Sequence, residues 1–149
     1  MRAVVQRVTS SSVSVDENII GQIEQGFNVL IGISKEDTLD DLKYIKDKIV
    51  NLRVFQDEND KMNLSLLDIN GEILVISQFT LYGDCRKGRR PNFMEAQGGE
   101  EAKKLYEEFL KMLKTSDLKV QCGEFGADMK VEINNDGPVT ILLDSKRNF

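Results

Sequence analysis

The side chains of this sequence that invite a chemical reading are hydroxyls. Ser77 and Thr80 lie within Ser77-Gln78-Phe79-Thr80-Leu81-Tyr82-Gly83-Asp84, and Thr140 follows Asn135-Asp136-Gly137-Pro138-Val139. None has an obvious activating base, since lysines are distant in sequence and only Asp84 is near. The chain contains no histidine, so a Ser-His-Asp or Cys-His nucleophile is impossible. A His-based zinc site is excluded too, and Cys85 and Cys122, far apart in sequence, cannot replace it. Bare hydroxyls are weak nucleophiles, and a Ser or Thr at a strand end often only bonds local backbone. There is no GxxxxGK[ST] loop for phosphates. Paired carboxylates such as Asp40-Asp41 and Glu100-Glu101 fall on helix faces and read as solvated charge.

Two further segments stand out. Asp136-Gly137 is a hairpin-turn signal, yet Pro138 runs directly into the apolar stretch Val139–Leu143. Proline donates no ladder hydrogen bond and belongs at edges, bulges or strand starts. Glycine lets other groups approach the backbone closely. Gly137-Pro138 therefore reads either as a rigid turn or as a corner that aims backbone carbonyls at a ligand. The run Arg86-Lys87-Gly88-Arg89-Arg90 puts four cations in five residues, in a chain of net charge −5. It is either a solvated loop or a set of phosphate contacts in Arg86, Lys87, Arg89 and Arg90.

The elements that must position these groups are short. Residues 2–8, 12–15, 19–24 and 27–33 read as an N-terminal meander of strands, punctuated by Gly21 and Gly26. Asp37 or Thr38 offers an N-cap to a helix with Leu39, Leu42, Ile45, Ile49 and Leu52 on one face. Arg53-Val54-Phe55 suggests another strand. Asn70-Gly71 opens Glu72–Ile76, whose continuous apolar run implies burial on both faces. Ser77–Thr80 would sit at its carboxyl end. A second helix spans about Gly99 to Lys114, with Leu105, Phe109, Leu110 and Leu113 on one side, and strands follow at 118–122, 129–133 and 139–143. The order predicts an α+β fold: a mixed β-sheet or partly closed barrel with two main helices packed outside.

Length and composition predict a single domain over residues 1–149, with 40% hydrophobic and 30% charged residues. No apolar run is long enough for a membrane span, and no signal-peptide pattern opens the chain. A cytoplasmic protein is expected. The acidic balance argues against broad phosphate binding as the source of affinity.

Three blocks, Met1–Val8, Ser77–Asp84 and Phe125–Met129 running into Asn135–Thr140, resemble the D-aminoacyl-tRNA deacylase family in order and across nearly the whole chain. No departure from the family pattern shows in the two main motifs. The resemblance implies an ester hydrolase acting on the acceptor end of D-aminoacyl-tRNA, with no cofactor or metal, working as a homodimer whose active sites lie at the subunit interface. That substrate is an activated ester with a neighbouring 2′-hydroxyl, so a histidine-free site suffices. Ser77, Gln78, Phe79 and Thr80 would shape the water and oxyanion site, with backbone N–H groups as donors.

Gly137-Pro138 corresponds to a cis dipeptide inserted from the neighbouring subunit, a chiral filter that leaves no room for an L side chain. Glycyl-tRNA would then escape rejection. Phe79, Ala102 and Met129 would line the adenosine pocket, although each also suits ordinary packing. Arg7 in the first strand needs a partner and can brace the Gly-Pro corner. Two rivals stand beside this reading: a covalent esterase using Thr80 as nucleophile, and a non-catalytic nucleic-acid-binding protein using the Arg86–Arg90 loop.

Overall fold

The computed structural model describes residues 1–149. The chain opens with β1 (Arg2–Val15), β2 (Asn18–Ile23) and β3 (Gly26–Gly32), then α1 (Leu39–Val50) and the short strands β4 (Phe55–Gln56) and β5 (Met62–Leu64). It continues through β6 (Glu72–Ser77), a 3-10 turn at Phe79–Tyr82, α2 (Gly99–Lys114), β7 (Lys119–Cys122) and β8 (Lys130–Asp144). The expected α+β class with two helices is correct.

One half of β1 pairs antiparallel with β3 and the other half with β2, while β8 runs along its opposite side. β6 adds parallel to β3, and β7 parallel to β6. The sheet then curls until β2 meets β6 and β7. At that seam a Cβ on Gly21 would stand 3.0 Å from the Cys122 carbonyl and 3.3 Å from Leu74. Only a residue without a side chain lets the backbones approach so closely. The result is a nearly closed, barrel-like sheet.

Two cores follow from this curvature. Outside the sheet, Leu42, Ile45 and Ile49 of α1 and Tyr106, Phe109 and Leu113 of α2 pack on Ala3, Val5, Phe27, Val29, Ile73 and Val75. Within it, Val8, Val13, Ile23, Leu74 and Ile76 form a smaller cluster. β6 thus sends Ile73 and Val75 to one core and Leu74 and Ile76 to the other, as its unbroken apolar run predicts. Each such side chain, fully buried, contributes about 1.5–3 kcal/mol.

Several local expectations need correction. Residues 2–8 and 12–15 form one strand, β1, whose register slips against β8 around Val8 and against β2 between Val13 and Ser14 without breaking it. Likewise 129–133 and 139–143 belong to one strand, β8, because the Gly-Pro corner bulges from the ladder without ending it. Thr38, not Asp37, caps α1: its amide and hydroxyl donate to the Asp41 carboxylate at 2.8 and 2.9 Å. Leu39 is 50% exposed and lies off the apolar stripe. Val54 precedes β4, and its carbonyl accepts from Arg7 Nη1 at 2.6 Å.

Candidate active site

β3, β6 and β7 run parallel, and the carboxyl ends of such strands are where open α/β sheets leave a crevice. β7 ends at Cys122, opposite Val75, while β6 continues through Ile76 to Ser77 on β3 alone. A cleft of about 680 Å³ opens where the two strands part. Three stretches line it: Ile76–Phe79, Phe93 with Ala96–Gly99, and Phe125–Met129 with Val131.

Within the first stretch, Gln78 leaves the sheet but its N–H still donates to the Ile31 carbonyl at 2.7 Å. The next two N–H groups, of Phe79 and Thr80, open the 3-10 turn and have no partner in the protein. The Gln78 side-chain amide donates to Thr80 Oγ1. No carboxylate or amine reaches that hydroxyl. Asp84 is engaged by Arg86, whose Nε and Nη2 donate to its two oxygens at 2.9 and 2.8 Å. Those side-chain bonds, with the Arg86 backbone N–H, hold its carboxyl well below the usual carboxylate range. Such a carboxylate makes a poor base.

Phe79 is 55% exposed and meets Phe93 edge-on at 5.1 Å, so it is a cleft aromatic and not a core filler. Met129 is half-buried, lines the cleft and also packs on the inner core. Its seat depends on Gly123, where a Cβ would stand 2.5 Å from the Met129 sulfur. Ala102 is not brought into the lining. It is 2% exposed on the buried face of α2, in step with Tyr106, Phe109 and Leu113. Residues that sequence reasoning missed are Phe93, Ala96, Gln97 and Gly98, from the irregular connection before α2, and Gly99, which opens that helix. The only signal was the Gly98-Gly99 pair, at both of which a Cβ would meet open space.

The Gly137-Pro138 bond is cis, with Gly137 at φ +115°. Both residues are exposed, and neither lines the cleft of their own chain. Opposite the corner, Gln6 pairs with Thr140 and Val8 with Asn135, so that Arg7 alone faces the bulged residues. Buried Arg7 fills that gap. Its Nε lies 3.2 Å from Asp136 Oδ2 and donates to the Asp136 carbonyl at 3.3 Å, and its Nη2 would stand 3.0 Å from a Cβ on Gly137. Asn135 Nδ2 donates to Gln6 Oε1 at 2.7 Å on the other flank.

The Arg86–Arg90 run sits on an exposed loop closed by paired backbone bonds between Asp84 and Asn92, at 2.8 and 3.0 Å. Arg86 is held by Asp84, whereas Lys87, Arg89 and Arg90 make no ion pair. A second depression of about 350 Å³ holds Arg2, Asp144, Lys146 and Glu95. Its charges are of both signs, and Arg2 and Lys146 already pair with Asp144 and Asp41. No helix is long and apolar enough to cross a membrane.

Fold and cleft together define a histidine-free α+β protein with an open, mainly apolar site at the ends of its parallel strands. The model of the D-Tyr-tRNA(Tyr) deacylase family matches residues 4–144, and the chain belongs to that family. A D-aminoacyl-tRNA deacylase of Clostridium beijerinckii is 88% identical over 149 residues, covering 100% of both chains. One from Clostridium botulinum is 80% identical with the same coverage. Among solved structures, one described as a c-Myc DNA unwinding element binding protein superposes with a TM-score of 0.92 at 47% identity, covering 97% of this chain and 98% of that one. Another, described as a probable eukaryotic D-amino acid tRNA deacylase, gives 0.81 over 95% of this chain and 97% of that one; at 17% identity it speaks to the fold alone.

Proposed function

We propose that this protein hydrolyses the ester joining a D-amino acid to the terminal ribose of tRNA, releasing the free amino acid and intact tRNA. The observation that carries the reading is the family match over nearly the whole chain, joined to a cleft whose wall is Ser77–Phe79. In the reaction, a water oxygen attacks the ester carbonyl carbon, the bond to the ribose oxygen breaks, and that oxygen takes up a proton. No side chain here is equipped as a general base, so water activation falls to the substrate's own 2′-hydroxyl. The N–H groups of Phe79 and Thr80, unpartnered in the protein, are suited to the developing oxyanion. A donor of that kind contributes about 3–4 kcal/mol. Phe79 and Met129 supply the apolar surface for the terminal adenosine, and Lys87, Arg89 and Arg90 are free to meet backbone phosphates.

The Gly137-Pro138 corner lies outside the cleft of its own chain. We therefore read the active species as a homodimer in which each corner completes the neighbouring site and rejects L-aminoacyl groups by steric exclusion. Glycyl-tRNA, with no side chain to exclude, is then also a substrate. All 149 residues act as one domain, and a tRNA substrate places the activity in the cytoplasm. The test is deacylation of D-Tyr-tRNA and L-Tyr-tRNA side by side, with a chelator present. Loss of the D-ester with the L-ester spared is the expected result. Cleavage of neither overturns the reading, and cleavage of both leaves a hydrolase without the filter.

A further inference from the structure

The vertex at which β6 and β7 part is held from above by α2. Tyr106, 2% exposed, donates its hydroxyl hydrogen to the Val75 carbonyl at 2.8 Å. The same carbonyl accepts the Gly123 N–H at 3.0 Å, the last bond before the two strands separate. Beyond this point one branch leads within two residues to Ser77. The other leads within two residues to Phe125, whose ring stands 5.7 Å from that of Tyr106. One side chain therefore touches the roots of both walls of the cleft. Burial pushes its phenol, chiefly by desolvation, well above the ordinary tyrosine value, so it remains a hydrogen-bond donor throughout the working pH range.

We propose that Tyr106 is a positioning residue for the deacylation site: its hydroxyl fixes the β6 branch that carries Ser77–Thr80, and its ring fixes the Phe125 wall. The proposal rests on the deacylase reading for its kinetic consequence. The two roles separate chemically. A carbonyl oxygen has two lone pairs, so without the hydroxyl Val75 is still satisfied by Gly123 and no buried acceptor is orphaned. A merely structural tyrosine would then tolerate phenylalanine with full activity. A positioning tyrosine would not, because small displacements of groups around a reacting centre are expensive in rate.

The experiment compares wild type, Tyr106→Phe and Tyr106→Leu in single-turnover deacylation of D-Tyr-tRNA at increasing enzyme concentration. Circular dichroism first confirms that each variant is folded. Tyr106→Phe is expected to lower the saturating rate roughly 10-fold or more, with the half-saturating enzyme concentration within about twofold of wild type. Tyr106→Leu, which also removes the ring, is expected to raise the half-saturating concentration as well. Amide hydrogen exchange on the ligand-free proteins supplies a readout independent of turnover, with faster exchange expected at Gly123 and Gln78 in Tyr106→Phe. A wild-type saturating rate in Tyr106→Phe overturns the proposal. So does unchanged exchange at those two amides, even with a wild type inactive on D-Tyr-tRNA, that inactivity being the separate failure of the deacylase reading.

Discussion

Arg7 grips Asp136 at two places, with Nε 3.2 Å from the carboxylate Oδ2 and 3.3 Å from the carbonyl oxygen. Because Nη1 also donates to Val54 at 2.6 Å, the guanidinium ties the bulge of β8 to the segment leading into β4. A planar fork with several fixed donors can do this, whereas an ammonium cannot reach all three oxygens. Arg7→Lys is expected to lose about 1–3 kcal/mol of stability, chiefly from the buried Val54 carbonyl left unmet. Urea unfolding measures that loss. The D-over-L cleavage ratio should fall by about tenfold, equivalent to roughly 1.4 kcal/mol in the barrier difference. An unchanged ratio would detach the corner from substrate choice.

Thr80 separates the water mechanism from its covalent rival. Its hydroxyl accepts from the Gln78 amide, and no base adjoins it. Thr80→Val leaves the backbone N–H of residue 80 in place. Turnover should stay within about tenfold of wild type, well short of the loss that follows removal of a true nucleophile. Near-complete inactivation in a folded variant would restore the covalent reading.

Gly123→Ala tests the Met129 seat. The new methyl would stand 2.5 Å from the Met129 sulfur, the far end of a flexible side chain that can swing away. Met129 lines the cleft, so its displacement should weaken tRNA binding several-fold while Tm changes little. Titration of the enzyme against uncharged tRNA reads this directly. Equal affinity with a lowered Tm would mean that the methyl is absorbed in the core.

Alongside Asp41, which is also lowered on folding, Asp144 contributes to the acid limb of stability. Burial alone would raise its carboxyl, but bonds from Asn148 Nδ2 at 3.0 Å, the Lys146 N–H at 2.7 Å and Arg2 Nε at 3.3 Å more than offset this, and its value is lowered. A group depressed on folding stabilises above its unfolded value, and that contribution disappears as pH falls through the folded one. Urea midpoints should hold steady above about pH 5 and drop steeply below about pH 4. Asp144→Asn should be less stable near neutrality and show a shallower acid decline. A variant with the wild-type acid slope would assign that limb to other carboxylates.

Much of this architecture was legible because its periodicities are strong. The stripes Leu42–Ile45–Ile49 and Phe109–Leu110–Leu113 announce helix faces, and the unbroken apolar run of β6 announces a doubly buried strand. Leu39 misled because a first-turn position extrapolates the stripe beyond the point where the helix meets the sheet. For Ala102 the resemblance leaves both the adenosine pocket and ordinary helix packing open, and its spacing to Tyr106 and Phe109 puts it on the core face. Phe93 and Ala96–Gly98 were invisible for a different reason. Irregular backbone has no period, and such residues reach a cleft only through the tertiary path of the chain. The Gly-Pro corner was visible as a local oddity and Arg7 as its brace, since an arginine in an apolar strand needs a partner, although the two meet only because β1 and β8 lie side by side across 129 residues of sequence.

β8 carries a consequence for solubility. It is 15 residues long and pairs with β1 alone, so one whole side of its backbone offers N–H and C=O groups to any passing strand. Such a margin is a template for runaway strand addition and, over many copies, for fibrils. The chain interrupts the template in its middle. Pro138 has no N–H to contribute, and the bulge between Asn135 and Thr140 throws the ladder out of step. Lys130 and Glu132 add charge at one end. The corner proposed as a stereochemical gate would therefore also be a guard against aggregation, and a variant that straightened it would be expected to precipitate before its chiral selectivity could be measured.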